Sequence, residues 1–209
     1  LSCHDVSHRT RIPCSGKDDP CPLRMVVEQR RPVTVTHRHP LPNGEMQYVE
    51  VTASPILNEA GEVVQVIECC RDITARRLQN LRMPTIAAVN GVAAGAGASL
   101  AMTCDIAIAA PGASFIQAFS KIGLIPDAGG SWFLVERLGL ARALALAMTG
   151  DKLPAAQAKE WGMIWDVADD PVASALALAE KLAMMPTKAL VATRHLLRDA
   201  STRTLHQQL

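Results

Sequence analysis

The 209-residue sequence has no excess of either charge: 21 Lys and Arg stand against 20 Asp and Glu, for a formal net charge of +1. A general nucleic-acid binder carries a basic surplus, so that class is excluded. No run reads as a membrane span either. The longest uncharged stretch, Met83 to Cys104, has the length to cross a bilayer. Pro84, Asn90, Gly91, Gly95 and Gly97 interrupt it, and its periodicity changes partway. A strand, a glycine turn and a helix start account for it better. No basic-then-apolar signal peptide opens the chain. The expected setting is cytoplasmic, with neither nucleic acid nor membrane as partner. Leu1 is not a start methionine, so the chain reads as processed, excised or a fragment.

Alanine is scarce in one part only. Residues 1–77 hold three (Ala53, Ala60, Ala75), whereas residues 78–209 hold 29. Five of six cysteines and four of six histidines precede Cys104. With 49% hydrophobic and 20% charged residues the whole is ordinary globular composition, but two pieces of different character meet near Arg76-Arg77.

The first piece is β-patterned from Val33 onward. Val33 to His37, Gln47 to Thr52 and Val63 to Cys70 are β-prone runs, and Asn43-Gly44 and Ala60-Gly61 between them are hairpin signals, because glycine takes the positive φ such turns need. The expectation is a three-stranded antiparallel meander with one covered face. Ending in Arg71-Asp72-Ile73-Thr74-Ala75-Arg76-Arg77, the run resembles the C-terminal half of a PAS domain, whose sheet closes with Asp-Ile-Thr before an output helix. The front of such a domain has no counterpart, so no haem or flavin site is carried over. Upstream, Cys3, His8, Cys14 and Cys21 offer the thiolates and imidazole that zinc prefers, usually four in a tetrahedron. Their loose spacing leaves two readings open: a zinc site, or a proline-rich connecting loop with solvent-facing thiols.

In the second piece, Pro84 to Val89 reads as a buried strand, Val92 to Gly97 as a small-residue turn, and Ala98 onward as a helix start. Helix-tip N–H groups in such a turn bind a phosphate or stabilise an oxyanion, while an isolated turn of this kind simply packs tightly. This one is not isolated. The order Asn-Gly-x-Ala-x-Gly-x-Gly from Asn90, Cys104-Asp105-Ile106, and Gly-x-Ile-Pro-x-x-Gly-Gly from Gly123 resembles the crotonase (enoyl-CoA hydratase/isomerase) superfamily. Ala141-Arg142-Ala143, Thr149-Gly150, Ala155 to Ala158 and Trp161 to Ile164 continue it. Phe119 to Asp127 and Glu160 to Trp165 are similar to the ring 1,2-epoxyphenylacetyl-CoA isomerases of phenylacetate breakdown.

The resemblance implies an acyl-CoA thioester substrate, no required cofactor, and negative charge building on the thioester oxygen. Backbone N–H groups stabilise that charge. Ala96 would supply one donor, with Ala94, Gly95, Gly97 and Phe119 around the substrate; the family's second donor comes from an earlier loop that finds no match here. The family's hydratase glutamates fall at Ser99 and Phe119, so hydration by two carboxylates is not expected. Asp127 is left for proton transfer, in an apolar setting whose burial would raise its pKa. Alternatively, Asp127 caps a helix beginning at Ala128. Asp105 reads as a turn or backbone partner, Cys104 as a small buried hydrophobe, and His195 as solvated. Lys188, Arg194 and Arg198 either meet CoA phosphates or face water.

Helices are expected over Leu138 to Met148, from Leu153-Pro154, over Pro171 to Met185 and from Pro186, several of them buried around much of their circumference. The family implies a homo-oligomer of trimer type. The expected fold is thus mixed α/β: a partial PAS-like domain (1–77), then a partial crotonase-like ββα core with C-terminal helices (78–209). The leading function is a crotonase-type acyl-CoA isomerase. Three alternatives stand beside it: an enoyl-CoA hydratase or double-bond isomerase, a PAS-type sensor carrying an inert crotonase-like segment, and a fusion inactive because both halves are truncated.

Overall fold

The computed structural model describes residues 20–40 and 46–208. The chain divides into two compact units, Leu1–Thr74 and Ala75–Leu209.

In the first unit, α1 (Pro22–Gln29) precedes the strands β1 (Val33–Pro40), β2 (Met46–Leu57) and β3 (Val63–Asp72). Each strand pairs antiparallel with the next, in the order β1-β2-β3, as the alternating pattern implies. The β2–β3 turn follows the expected chemistry: Gly61 sits at φ +75°, and Asn58 Oδ1 accepts the Glu62 N–H at 2.8 Å. Asn43-Gly44 lies outside the described residues. The helix α1 was not foreseen. Pro22 occupies its first turn, where a missing N–H costs nothing. Its Val26 is fully buried against Val33 and Ala53, and Met25 packs on Val35, Val49 and Val51. One face of the sheet is thus covered, while Val64 and Ile67 on β3 stay exposed. His37 continues the inward alternation and its Nε2 lies 2.6 Å from the Pro20 carbonyl.

The second unit begins within α2 (Thr74–Gln79). Its strands are β4 (Ile86–Val89), β5 (Val92–Ala94), β6 (Ile106–Ala109), β7 (Ser114–Ile116), β8 (Lys152–Pro154) and β9 (Asp166–Val167). They form two three-stranded sheets, β4-β6-β9 and β5-β7-β8. β4 and β6 are parallel, which requires a crossover, and α3 (Ala96–Thr103) supplies it. The expected turn from Val92 is shorter than the sequence suggested. Val92 to Ala94 pair with Ser114 to Ile116 as a strand, because their ladder partner arrives from 22 residues downstream.

The remaining helices are α4 (Gly130–Leu138), α5 (Leu140–Thr149), α6 (Ala155–Glu160), α7 (Pro171–Ala183), α8 (Thr187–Asp199) and α9 (Leu205–Gln208). The helix expected from Leu138 starts at Leu140. Gly139, at φ +74°, breaks the ladder and closes α4 through its N–H to the Val135 carbonyl. Gly150 stops α5 in the left-handed region, as the sequence implies. The core gathers Met102, Phe115, Phe133, Leu134, Leu153 and Met163 with the small residues of α3 and β6. Burial around the helices is less complete than expected. On α7 only Pro171 is buried, and Val172 and Leu176 are exposed, because the described residues cover one side of it alone. Among the described residues no helix is long and apolar enough to cross a membrane.

Candidate active site

The candidate site starts where β5 hands over to α3. Gly95 takes φ +53° and ψ −121°, a conformation that only glycine adopts freely. Its N–H donates to the Ile116 carbonyl at 2.8 Å, so the β5–β7 ladder pins the turn. A side chain at position 95 would meet the Phe119 ring at 3.5 Å. The Gly95 carbonyl accepts the Ser99 N–H at 3.1 Å as the first rung of the helix. Ala96, Gly97 and Ala98 are the first residues of α3, and helix-tip N–H groups have no acceptor within their own helix. Gly97 is exposed and Ala96 half-buried. The tip therefore offers backbone donors and the positive end of a helix dipole, an arrangement suited to a developing oxyanion.

Ser99 and Phe119, which stand in place of a carboxylate pair, are packing residues. Ser99 is fully buried, and its hydroxyl donates to the Gly95 carbonyl at 3.3 Å. A Cβ at Gly130 would lie 2.4 Å from Ser99 Oγ, so the start of α4 seats directly against α3. Phe119 is 6% exposed.

Asp127 reaches this seat through its backbone: its carbonyl accepts the Gly130 N–H at 2.7 Å. The alternative reading as a helix cap fails. Ala128 and Gly129 lie at φ +48° and +77°, so no helix begins at Ala128; α4 starts at Gly130, and its N-cap Gly129 makes no side-chain cap bond. The expected apolar enclosure is also corrected. Asp127 is exposed, and its neighbours Leu124 and Ile125 are 59% and 83% exposed, because no described residue folds over them. Alongside α3, a cavity of about 370 Å³ is lined by Ala88, Asn90, Val92, Gly97, Leu100 and Cys104. Cys104 is buried, and burial pushes its thiol above the ordinary range, as befits a packing residue rather than a nucleophile.

Asp105 is the centre of a polar knot. Its Oδ2 accepts the Thr85 N–H at 2.8 Å, the Thr85 hydroxyl at 3.0 Å and Arg194 Nη1 at 3.2 Å. Its Oδ1 accepts Arg198 Nη2 at 2.8 Å. Arg194 also donates to the Met83 and Leu81 carbonyls, and Arg198 to that of Thr103. These two arginines are therefore internal ties, and the expectation that they face water is corrected. Arg137 completes the group by donating to the Met102 and Cys104 carbonyls at 2.7 and 2.8 Å. The spacing of Arg194 and Arg198, four residues apart on one helix face, was a sign of this knot in the sequence. Nothing in the sequence marked Arg137. His195 is exposed, as expected.

Of the four candidate metal ligands, Cys3, His8 and Cys14 lie outside the described residues. Cys21 is half-buried with a free thiol. Among the described residues no group of three or more His, Cys, Asp or Glu gathers as a metal site.

Residues 67–209 match the family model described as enoyl-CoA hydratase/isomerase, and residues 13–78 match the PAS fold. The chain is 54% identical over 136 residues to the 1,2-epoxyphenylacetyl-CoA isomerase of Escherichia coli strain K12, covering 64% of this chain and 52% of that protein. It is 51% identical over 88 residues to a probable enoyl-CoA hydratase of Rhodobacter capsulatus, covering 42% of this chain and 34% of that protein. The solved structure of an enoyl-CoA hydratase from Polaromonas sp. JS666 superposes with a TM-score of 0.62 at 39% identity, over 64% of this chain and 53% of that one. The chain thus spans about half the length, or less, of the curated relatives it matches.

Proposed function

The chain belongs to the enoyl-CoA hydratase/isomerase family, and we propose that residues 78–209 act as an acyl-CoA isomerase of the ring 1,2-epoxyphenylacetyl-CoA type rather than as a hydratase. One observation carries the choice. Ser99 and Phe119, where hydratases of the family hold glutamates, are buried packing residues, so two-carboxylate hydration has no acid–base pair here. In this reading the thioester oxygen meets the Ala96 N–H at the α3 tip, and the backbone from Ala94 to Gly97 and the Phe119 ring shape its surroundings. Asp127 takes and returns the proton as the ring epoxide isomerises to the oxepin. No cofactor enters the reaction. Self-association in the family's trimeric manner belongs to the proposal, supported by the exposed apolar residues Leu140 and Met148 on α5 and Leu176 on α7. Residues 1–77 form the N-terminal domain of this reading, which the PAS-fold match supports from residue 13.

The test offers the chain 1,2-epoxyphenylacetyl-CoA and crotonyl-CoA and follows products by chromatography and mass. The expected result is isomerisation of the epoxide at unchanged mass and no gain of water by crotonyl-CoA. Asp127→Asn should lower kcat by about 10²–10⁴-fold. Hydration of crotonyl-CoA, undiminished turnover by the Asp127→Asn variant, or no turnover of either thioester overturns the proposal.

A further inference from the structure

A second cavity, of about 400 Å³, lies within the second unit, and neither Ala94 to Gly97 nor Phe119 nor Asp127 lines it. Most of its apolar lining comes from α4, α7 and α8, including Trp132, Leu182, Leu190, Val191 and Leu197. The charged lining is the knot already described, Arg137, Arg194 and Arg198 with Asp105, together with the exposed Glu136. Three guanidinium groups thus meet two carboxylates at an otherwise greasy pocket, leaving one positive charge in excess.

That excess sits on largely buried guanidinium groups. Burial, and then Arg198 beside it, hold the Arg137 guanidinium below its usual value; burial, with Arg194 opposing Asp105, does the same for Arg198. Arg194 has a side chain only 7% exposed, and its Nε is buried with no hydrogen-bond partner among the described residues. An anion at this position would add a countercharge to buried guanidinium groups already fixed in place. The pocket volume falls in the range of small-molecule sites, and its lining suits an alkyl or aryl body.

We propose that this cavity binds an amphipathic monocarboxylate, a medium-chain fatty acid or an arylalkanoate. Its apolar body packs on Trp132, Leu190 and Val191, and its carboxylate faces the Arg194–Arg198 cluster. The site is independent of the thioester chemistry proposed for the α3 tip.

The test titrates the full chain with decanoate, decanol and decyltrimethylammonium, each below its micellar range, by calorimetry and by tryptophan fluorescence. Decanoate should bind with a stoichiometry of one, decanol at least about tenfold more weakly, and the cation not at all. Arg198→Gln should weaken decanoate by about tenfold and leave decanol unchanged. Val191→Trp, which fills the cavity, should abolish binding of both while the circular dichroism spectrum is preserved. Equal affinity for decanoate and decanol, several equivalent sites, or binding that survives Val191→Trp overturns the proposal. So does a sedimentation experiment in which the chain dimerises through this face, with Val191→Trp dissociating the dimer and decanoate leaving it intact.

Discussion

Replacing Asp105 with alanine removes the acceptor shared by Thr85, Arg194 and Arg198. Four hydrogen bonds between 2.8 and 3.2 Å end on this one carboxylate. Its side chain is 16% exposed and that of Arg194 7%, so water makes up little of the loss. Breaking a buried ion pair by removing one partner costs about 3–5 kcal/mol. Arg194 keeps the carbonyls of Met83 and Leu81, and Arg198 keeps that of Thr103, which places the expected loss at the low end, about 3 kcal/mol. This is a large share of a domain stability of about 5–15 kcal/mol. Trp132, Trp161 and Trp165, the three tryptophans of the chain, all lie in the second unit, so tryptophan fluorescence during urea unfolding reads that unit alone. The midpoint should fall by about 2 M at a typical slope for this size. Asp105→Asn, which keeps an oxygen acceptor but loses the charge, should fall between the two. A loss below about 1 kcal/mol, the range of exposed ion pairs, would refute the reasoning, because it would mean that the knot is solvated in solution.

Gly130→Ala sets a Cβ 2.4 Å from Ser99 Oγ, and overpacking of this kind costs about 1–3 kcal/mol. Ser99→Ala in the same chain should recover most of that loss, and a double-mutant cycle by urea unfolding measures the coupling. Ala128 sits at φ +48° without the freedom of glycine, so Ala128→Gly should stabilise the second unit by up to about 1 kcal/mol, read as a higher urea midpoint.

Much of the fold was legible because local chemistry carries it. The meander follows from period-two alternation and from the glycine turn at Gly61. The α5 stop follows from Gly150, and the order of strand, glycine turn and helix from Val89 to Met102 follows from small residues where a backbone must turn sharply. The helix α1 was hidden because its eight residues are held by the sheet beneath Val26 and Met25 rather than by propensity. The break at Gly139 was hidden because a glycine between two leucine-rich runs is equally compatible with one helix or two. The strand β5 depends on a partner 22 residues away, which no local window contains.

For the candidate site the division is similar. Residue identities alone established that no carboxylate stands at positions 99 and 119, that Asp127 is the acid of the Gly-x-Ile-Pro turn, and that a glycine precedes the α3 tip. Only the tertiary structure decided that Ser99 is spent on packing against Gly130, that Asp127 faces solvent instead of an apolar enclosure, and that Arg194 and Arg198 turn inward to Asp105. The reason is that burial is a property of what packs over a residue, and the partners that decide it here, from Thr85 to Arg198, lie up to about a hundred residues apart along the chain.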